Sequence, residues 1–515
     1  MTFHRARNAA GIGFAFLQEF FMPFAIGCDV GSQSLKAVVL SPTGEILATA
    51  GSPYQMIHKH SGWADQEPDW YIRALGEAVH EAVAAAGIDP ADVAVIGLAS
   101  QVDGVVPINR TRDPLRDAII WLDRRAVEEA ECLRRTVGVA TAFSRTGLNI
   151  DATHTGPKIM WLREHEPHVF SEAVSMPSVG GFLLAWMTGE IAQDHANASS
   201  TLFYDISTRA YSPDMLAAAG IDPAMMPQIR NSTDVVGTLL PHAAEVLGLT
   251  TKCQVIVGTG DEHGACVGAG GVSRDVVVDI AGTAEPVCVG SDRPLIDDTG
   301  LVETHAHAVP DFFLIENPGF VSGGNTLWLA DVLGCTQGKV FELAQQSEPG
   351  ARGVRFVPAL SGAMAPRWND LMRGAFYGLG MNHGPADLAR AVIEGNAFAF
   401  TDIVRRLQEM ELGGRIRIVG GGRRSEFSLV TKATLAGCAV ERVTTEETTA
   451  VGGAMLAAVG AGLFDSIPEC VDAVVQVAPD PTEPDPTLKG ALDAAYGEYR
   501  TLYDTLESSF ARGVA

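Results

Sequence analysis

Asp29-Val30-Gly31-Ser32-Gln33-Ser34 is the first stretch in which residue types and spacing converge on chemistry. Gly31 lets backbone N–H groups come close to an anion, and Ser32 and Ser34 add hydroxyl donors. Asp29, at the end of an apolar run, is placed to hold a hydrated Mg²⁺, a hard cation that takes oxygen ligands. The same letters also suit an ordinary hairpin with an acid at its start. A second carboxylate, Asp261, lies in Thr259-Gly260-Asp261-Glu262-His263-Gly264. On a Gly-flanked strand-to-helix turn it has little steric cover, and it faces the cleft if the strand is central. There it is a candidate general base. A hydroxyl attacking a γ-phosphoryl group must lose its proton, and a carboxylate within hydrogen-bond reach accepts it. Helix capping is the competing role for an Asp at such a turn.

Gln101-Val102-Asp103-Gly104 follows another apolar run, just past the carboxyl end of a buried strand, where open α/β sheets bind ligands. Gln101 and Asp103 could hydrogen-bond vicinal hydroxyls of a polyol, or Asp103 could simply set up the turn at Gly104. Trp121 either lines a sugar face or belongs to the core, the default for a lone Trp. Two glycine-bearing turns come later, Ala281-Gly282-Thr283-Ala284 and Gly420-Gly421-Gly422-Arg423-Arg424-Ser425. Each lets a flat or charged ligand press on backbone. His305-Ala306-His307 has no further partners at ligand spacing, so a metal site is not expected there.

The elements that must position these residues alternate between strand and helix. Residues 25–30, 36–40 and 45–49 read as three strands, the last two joined at Pro42-Thr43-Gly44. A helix over 70–86 is expected, capped by Asp69 and ended at Gly87. A buried strand over 93–99 follows, then a short strand within 117–125 turning into a charged helix with Asp123 at its cap. Helices are expected over 155–165, with Pro157 in the first turn, and over 177–189. In the second half, 254–258, 276–280 and 285–289 read as strands. The pair 276–289 repeats the opening hairpin, which suggests a duplicated architecture with a nucleotide between the halves. Residues 385–407 form a long helix with Arg390 and Glu394 four apart, 415–419 a strand, 426–435 a helix. A helix of small residues over 450–462 implies close packing beneath the Gly-rich turn.

The chain has 515 residues, too many for one core of the usual size. A hydrophobic content of 47% with 19% charged residues is that of a globular enzyme. The net charge of −25 argues against nucleic acid and anionic membranes as partners. The 8 cysteines form no C-x-x-C pair, which fits reduced thiols in a cytoplasmic protein. Residues 1–21 have a basic start and an apolar stretch interrupted by Gln18 and Glu19, without a cleavage pattern. A true start at Met22 is expected, with 1–21 as a non-native or disordered extension. No apolar run is long enough to span a bilayer.

Taken in order, these pieces resemble the FGGY carbohydrate kinase family, xylulokinase-like branch, from about Ile26 to Phe464. The likeness rests on Asp-x-Gly-Ser-x-Ser-x-Lys at Asp29–Lys36, Trp63-Ala64-Asp65-Gln66-Glu67-Pro68, and Ala118-Ile119-Ile120-Trp121-Leu122-Asp123-Arg124-Arg125. It extends to Pro157-Lys158-Ile159-Met160-Trp161-Leu162, Gly258-Thr259-Gly260-Asp261, Arg390-Ala391-Val392-Ile393-Glu394-Gly395 and the turn from Gly420 to Ser425. The resemblance implies an α/β fold of two actin-like (ribonuclease-H-like) ATPase domains, 22–255 and 256–505, closing on a cleft. It implies ATP and Mg²⁺ as cofactors and a small sugar or polyol as acceptor, with a homodimer compatible. Asp261 matches the catalytic base and Asp29 the acid near Mg²⁺. Gly31 and Ser32, with Gln33, Ser34 and Lys36 of the same opening, match a phosphate-binding loop, as do Gly282 and Thr283. Gly421, Gly422 and Ser425 match the region beside adenosine. Gln101, Asp103, Trp121 and Glu262 fall on the sugar side. Xylulokinases usually carry Gln-Met-His-Gly where this chain has Gln101-Val102-Asp103-Gly104, and Asn where it has Glu262. The implied acceptor is a xylulose-like ketopentose or a related polyol, with another sugar such as ribulose, a tetritol or a deoxy-sugar as the alternative. An acidic pocket disfavours sugar acids. A nucleotide sensor on the same fold is the rival from another class.

Overall fold

Apolar residues on both faces of residues 24–53 fold them into an antiparallel meander in a computed structural model that describes residues 23–510. The expected extension 1–21 and start at Met22 lie outside the described residues. The meander comprises β1 (Phe24–Val30), β2 (Ser34–Leu40) and β3 (Ile46–Pro53). Helix α1 (Pro68–Ala86) ends at Gly87, whose φ of 67° a side chain would resist. Its cap is Glu67 and not the expected Asp69, which lies inside the first turn. β4 (Val93–Ser100) then pairs parallel with β1. After helix α2 (Thr155–His165), β5 (Val235–Thr238) and β6 (Gln254–Ile256) complete a sheet ordered β5-β6-β4-β1-β2-β3. Thr259–Gly260 also pairs with β4, and helix α3 (Asp261–Gly268) starts directly from it. The expected division between 255 and 256 thus falls inside a strand of the first sheet.

The second sheet repeats this plan. β7 (Val276–Ile280), β8 (Ala284–Ser291), β9 (Glu303–Ala306) and β10 (Phe313–Val321) are followed by α4 (Pro385–Glu409), β11 (Arg415–Val419), α5 (Glu426–Ala436) and β12 (Val440–Arg442). Their order is β9-β10-β8-β7-β11-β12. In each sheet the first strand is antiparallel to its hairpin partner and parallel to a later strand, β4 or β11. The duplication expected from the two hairpins is therefore present in the pairing itself.

Helix α6 (Thr448–Gly460) comes late in the chain yet packs on the first sheet. Its small residues explain how. A Cβ on Gly27 of β1 would lie 2.0 Å from the Ala450 carbonyl, and one on Gly452 would lie 1.9 Å from the Gly264 carbonyl of α3. Backbone meets backbone at both crossings, so α3, α6 and β1 hold one another at fixed spacing. Arg390 and Glu394 form a buried ion pair at 2.7 Å on α4.

Candidate active site

Between the sheets lies a cavity of about 470 Å³. Asp29, Gly31 and Ser32 reach it from the first hairpin, Asp103 and Trp121 from the first domain's loops, and Asp261 and Glu262 from the start of α3. Met364 and Trp368, on the Gly/Pro-rich loop after Arg355–Val357, form part of the opposite wall. A second cavity, about 660 Å³, brings together Gly282, Thr283, Gly421, Gly422 and Ser425. The β7–β8 turn is wall to both. Ile280, Ala284 and Pro286 border the first cavity, while Ala281, Gly282, Thr283 and Glu285 border the second.

Asp29 is half-buried, and its desolvation with the nearby Asp261 raises its carboxyl to about 7. No ion pair to Asp29 is formed among the described residues: Lys36, whose charge favours the ionised form of Asp29, gives its Nζ to Glu447 at 2.6 Å. The corresponding acid of the second sheet, Asp279, is by contrast neutralised by Lys432 at 2.6 Å, and Lys432 also reaches Glu285 at 2.8 Å. One of the two duplicated carboxylates is spent on structure and the other is left facing the cleft. Asp261 is the first residue of α3, the cap position falling to Gly260, so the capping alternative does not describe it. Its carboxyl is raised to about 6, by burial and by Asp103 against backbone hydrogen bonds that favour the charged form.

Asp103 has a φ of 58°, uncommon for a residue with a Cβ. Lys158, fully buried on α2, holds that turn by donating to the carbonyls of Asp103 (2.7 Å), Ile120 (2.9 Å) and Thr153. The Asp103 carboxylate pairs with His154 Nδ1 at 3.2 Å. Trp121, at 39% exposure, lines the cleft instead of joining the core. Its loop is anchored by Arg125, which donates to Asp65 and Asp123 at 2.7 Å each and stacks 4.0 Å from the Trp63 ring. Asp123 is therefore a buried ion-pair partner and not the expected helix cap; the following helix, Val127–Thr136, is capped by Ala126.

Residues 24–268 match the FGGY family of carbohydrate kinases, N-terminal domain, and residues 277–461 match its C-terminal domain. The chain belongs to the FGGY family of carbohydrate kinases. A xylulose kinase of Escherichia coli (strain K12) is 28% identical over 93% of this chain and 99% of that one. A glycerol kinase of Citrifermentans bemidjiense is 31% identical over 86% and 92%. The crystal structure of xylulose kinase from Rhodospirillum rubrum superposes with a TM-score of 0.88 at 26% identity, covering 95% of this chain and 100% of that one. As an FGGY kinase, the protein is a phosphotransferase with an alcohol group as acceptor, built of two actin-like (ribonuclease-H-like) domains. No helix among the described residues is long and apolar enough to cross a membrane.

Several expected contacts of this FGGY kinase fall elsewhere. Gln101 does not line the cleft: it is fully buried, and its amide donates to the Gly31 carbonyl (3.3 Å) and Gln66 Oε1 (3.0 Å). Gln66 in turn donates to the Ser32 carbonyl at 2.8 Å. The two glutamines tie down the turn's carbonyls from below, which is support of the loop and not sugar contact. Gln33, Ser34 and Lys36 line neither cavity; Gln33 accepts the Tyr54 N–H through its carbonyl, and Ser34 accepts the Gly31 N–H. Ser425 borders the second cavity while its hydroxyl caps α5. Glu303, Glu316 and His154 line the first cavity and escaped sequence reasoning, and His305, considered from sequence only as a metal ligand, lines it too. The pair His305-Ala306-His307 carried a signal of polar residues alternating on a strand. Glu303 and Glu316 carried none.

Proposed function

We propose that this chain is an ATP- and Mg²⁺-dependent kinase transferring the γ-phosphoryl group to a terminal hydroxyl of a ketopentose or a related polyol. The observation that carries the reading is the shared β7–β8 turn, with the glycine-lined cavity on one side and Asp261 on the other. A nucleotide in the glycine-lined cavity and an acceptor in the Asp261 cavity meet across one short stretch of backbone. Asp261 accepts the proton of the attacking hydroxyl, and the Asp103 turn and Trp121 orient the carbon chain. Phosphoryl transfer asks mainly for positioning and charge neutralisation. Closure of the domains keeps water, the competing acceptor, out.

Asp29 suits Mg²⁺. It is a half-buried carboxylate with no ion pair among the described residues, and one or two carboxylates plus phosphates and water are what that cation takes. When bound, Mg²⁺ neutralises charge on the transferring phosphoryl group. The relatives' names divide between xylulose and glycerol kinases, which leaves the acceptor's length and oxidation level open.

The test is ATP consumption against a panel of ketopentoses, aldoses and polyols. One acceptor raising the rate by orders of magnitude supports the reading. Slow background hydrolysis throughout the panel, with nucleotide still bound, favours a sensor on the same fold.

A further inference from the structure

Gly31, Ser32 and Gln33 are the residues between β1 and β2, and the carbonyl of each is held. That of Gly31 accepts from the Tyr54 hydroxyl and from Gln101 Nε2 at 3.3 Å. That of Ser32 accepts from Gln66 Nε2 at 2.8 Å, and that of Gln33 from the Tyr54 N–H at 3.0 Å. The side chains form one buried network, in which Gln66 Oε1 accepts from the Tyr71 hydroxyl (2.7 Å) and from Gln101 Nε2 (3.0 Å). Oε1 of Gln101 has no partner although it is buried. A network serving only to satisfy buried polar groups would not leave one bare. This one leaves an acceptor bare and keeps the amide N–H groups on Gly31 and Gln66.

The second sheet achieves the same with backbone. Asp279 corresponds to Asp29, so Ala281, Gly282 and Thr283 correspond to Gly31, Ser32 and Gln33. Their carbonyls accept from the N–H groups of Gly422 (3.0 Å), Gly323 (3.2 Å), and Ser322 and Gly324 (3.1 Å each). Position for position, three carbonyls are held in both turns, by main-chain amides in one and largely by side chains in the other.

Holding a carbonyl orients the whole peptide plane. In a trans peptide the C=O of one residue and the N–H of the next point opposite ways, and both peptide bonds here are trans. With the Gly31 and Ser32 carbonyls turned to the buried glutamines, the Ser32 and Gln33 N–H groups turn away from them. Neither meets an acceptor among the described residues. Gly31 and Ser32 border the Asp261 cavity beside Asp29. Gly31, lacking a Cβ, would let a plane left unheld invert at little cost and offer a carbonyl oxygen to an anion. We propose that Gln66, Gln101 and Tyr54 are positioning residues for phosphoryl transfer: they fix this turn so that it offers N–H groups to the oxygens of the γ-phosphoryl group. This rests on the kinase reading and adds to it residues that touch no substrate.

The experiment measures calorimetric binding of the non-hydrolysable β,γ-imido analogue of ATP and of ADP, both with Mg²⁺, in the native chain and in variants. Replacing both glutamines, Gln66→Met with Gln101→Met, removes the donors and keeps side-chain length. The ratio of analogue affinity to ADP affinity is expected to fall about tenfold or more, because ADP lacks the group the turn would hold. Tyr54→Phe deletes one hydroxyl and carries the test if the double variant does not fold; its ratio is expected to fall about threefold or more. Gln193→Met is the control, since Gln193 is a buried amide bonded to Tyr211 at a site bordering neither cavity, and its ratio should stay unchanged. A ratio unchanged in the folded glutamine and tyrosine variants overturns the inference. So does an equal fall in the control, which would mean a general loosening of the core. A native chain that binds neither nucleotide overturns both this inference and the kinase reading. If the ratios move as expected but no acceptor in the panel yields ADP from ATP, the kinase reading falls and the assignment of the turn stands.

Discussion

Oδ1 of Asp103 and Nδ1 of His154 are 3.2 Å apart in the cleft wall, at 16% and 6% side-chain exposure. Burial alone would strip the imidazole of its proton. The charge and hydrogen bond of Asp103, with Glu303 and Asp151, outweigh burial and raise His154 to about 9. Asp103 therefore meets a ligand as half of an ion pair and not as the bare acid expected from sequence. The linkage has a definite sign. A histidine raised in the folded state contributes stability that is complete below its ordinary value of 6.5 and is lost as pH rises through about 9. The contribution is on the order of 3 kcal/mol. Urea midpoints should fall between about pH 6 and about pH 10 in the native chain, and this component of the fall should vanish in His154→Gln. Identical curves for the two proteins would show that the pair does not form.

Asp261→Asn is expected to lower kcat by about 10²–10⁴-fold while leaving nucleotide affinity intact, because a general base acts on the hydroxyl and not on ATP binding. The base must be ionised to work, and its carboxyl lies at about 6. Activity should therefore fall as pH drops below that value. Single-turnover rates and fluorescence-detected nucleotide binding check both halves; turnover surviving in the variant refutes the assignment.

Gly452→Ala would drive a Cβ to within 1.9 Å of the Gly264 carbonyl. The two helices must separate, at a cost of about 1–3 kcal/mol or more. Since α3 carries Asp261, kcat should drop with stability. Gly490→Ala serves as control. Nothing lies within 4 Å of that site on the exposed face of Pro486–Phe510, so the change should stabilise by up to ~1 kcal/mol. Denaturant unfolding of both variants decides it, and equal midpoints would contradict the packing argument.

Lys432→Met leaves Asp279 and Glu285 buried without their cation. Removing one partner of a buried ionic cluster costs about 3–5 kcal/mol. Adding Asp279→Asn should recover part of that loss. A calorimetric Tm for the single and double variants tests the claim, which fails if the second substitution destabilises further.

The sequence by itself determined the local geometry of the chemistry. Asp29-Val30-Gly31-Ser32 and Gly258-Thr259-Gly260-Asp261 are strand–turn motifs whose conformation follows from neighbouring residues, so both carboxylates were legible as cleft-facing acids. The two hairpins, the helix ended by Gly87, and the small-residue helix packed on glycine were legible for the same reason: turn chemistry and side-chain size act over a few residues. Only the tertiary structure decided what each polar side chain meets. Gln101 turned inward to brace the phosphate-type loop because Gln66 and Gly31 stand beneath it, partners far away in sequence. Trp121 went to the cleft because Arg125 was claimed by Asp65, Asp123 and Trp63, fixing the loop between them. His154, Glu303, His305 and Glu316 became one wall through strand register and domain apposition. A carboxylate's role depends on which groups stand within a few ångströms of it, and for these residues that distance is set by the fold and not by the chain.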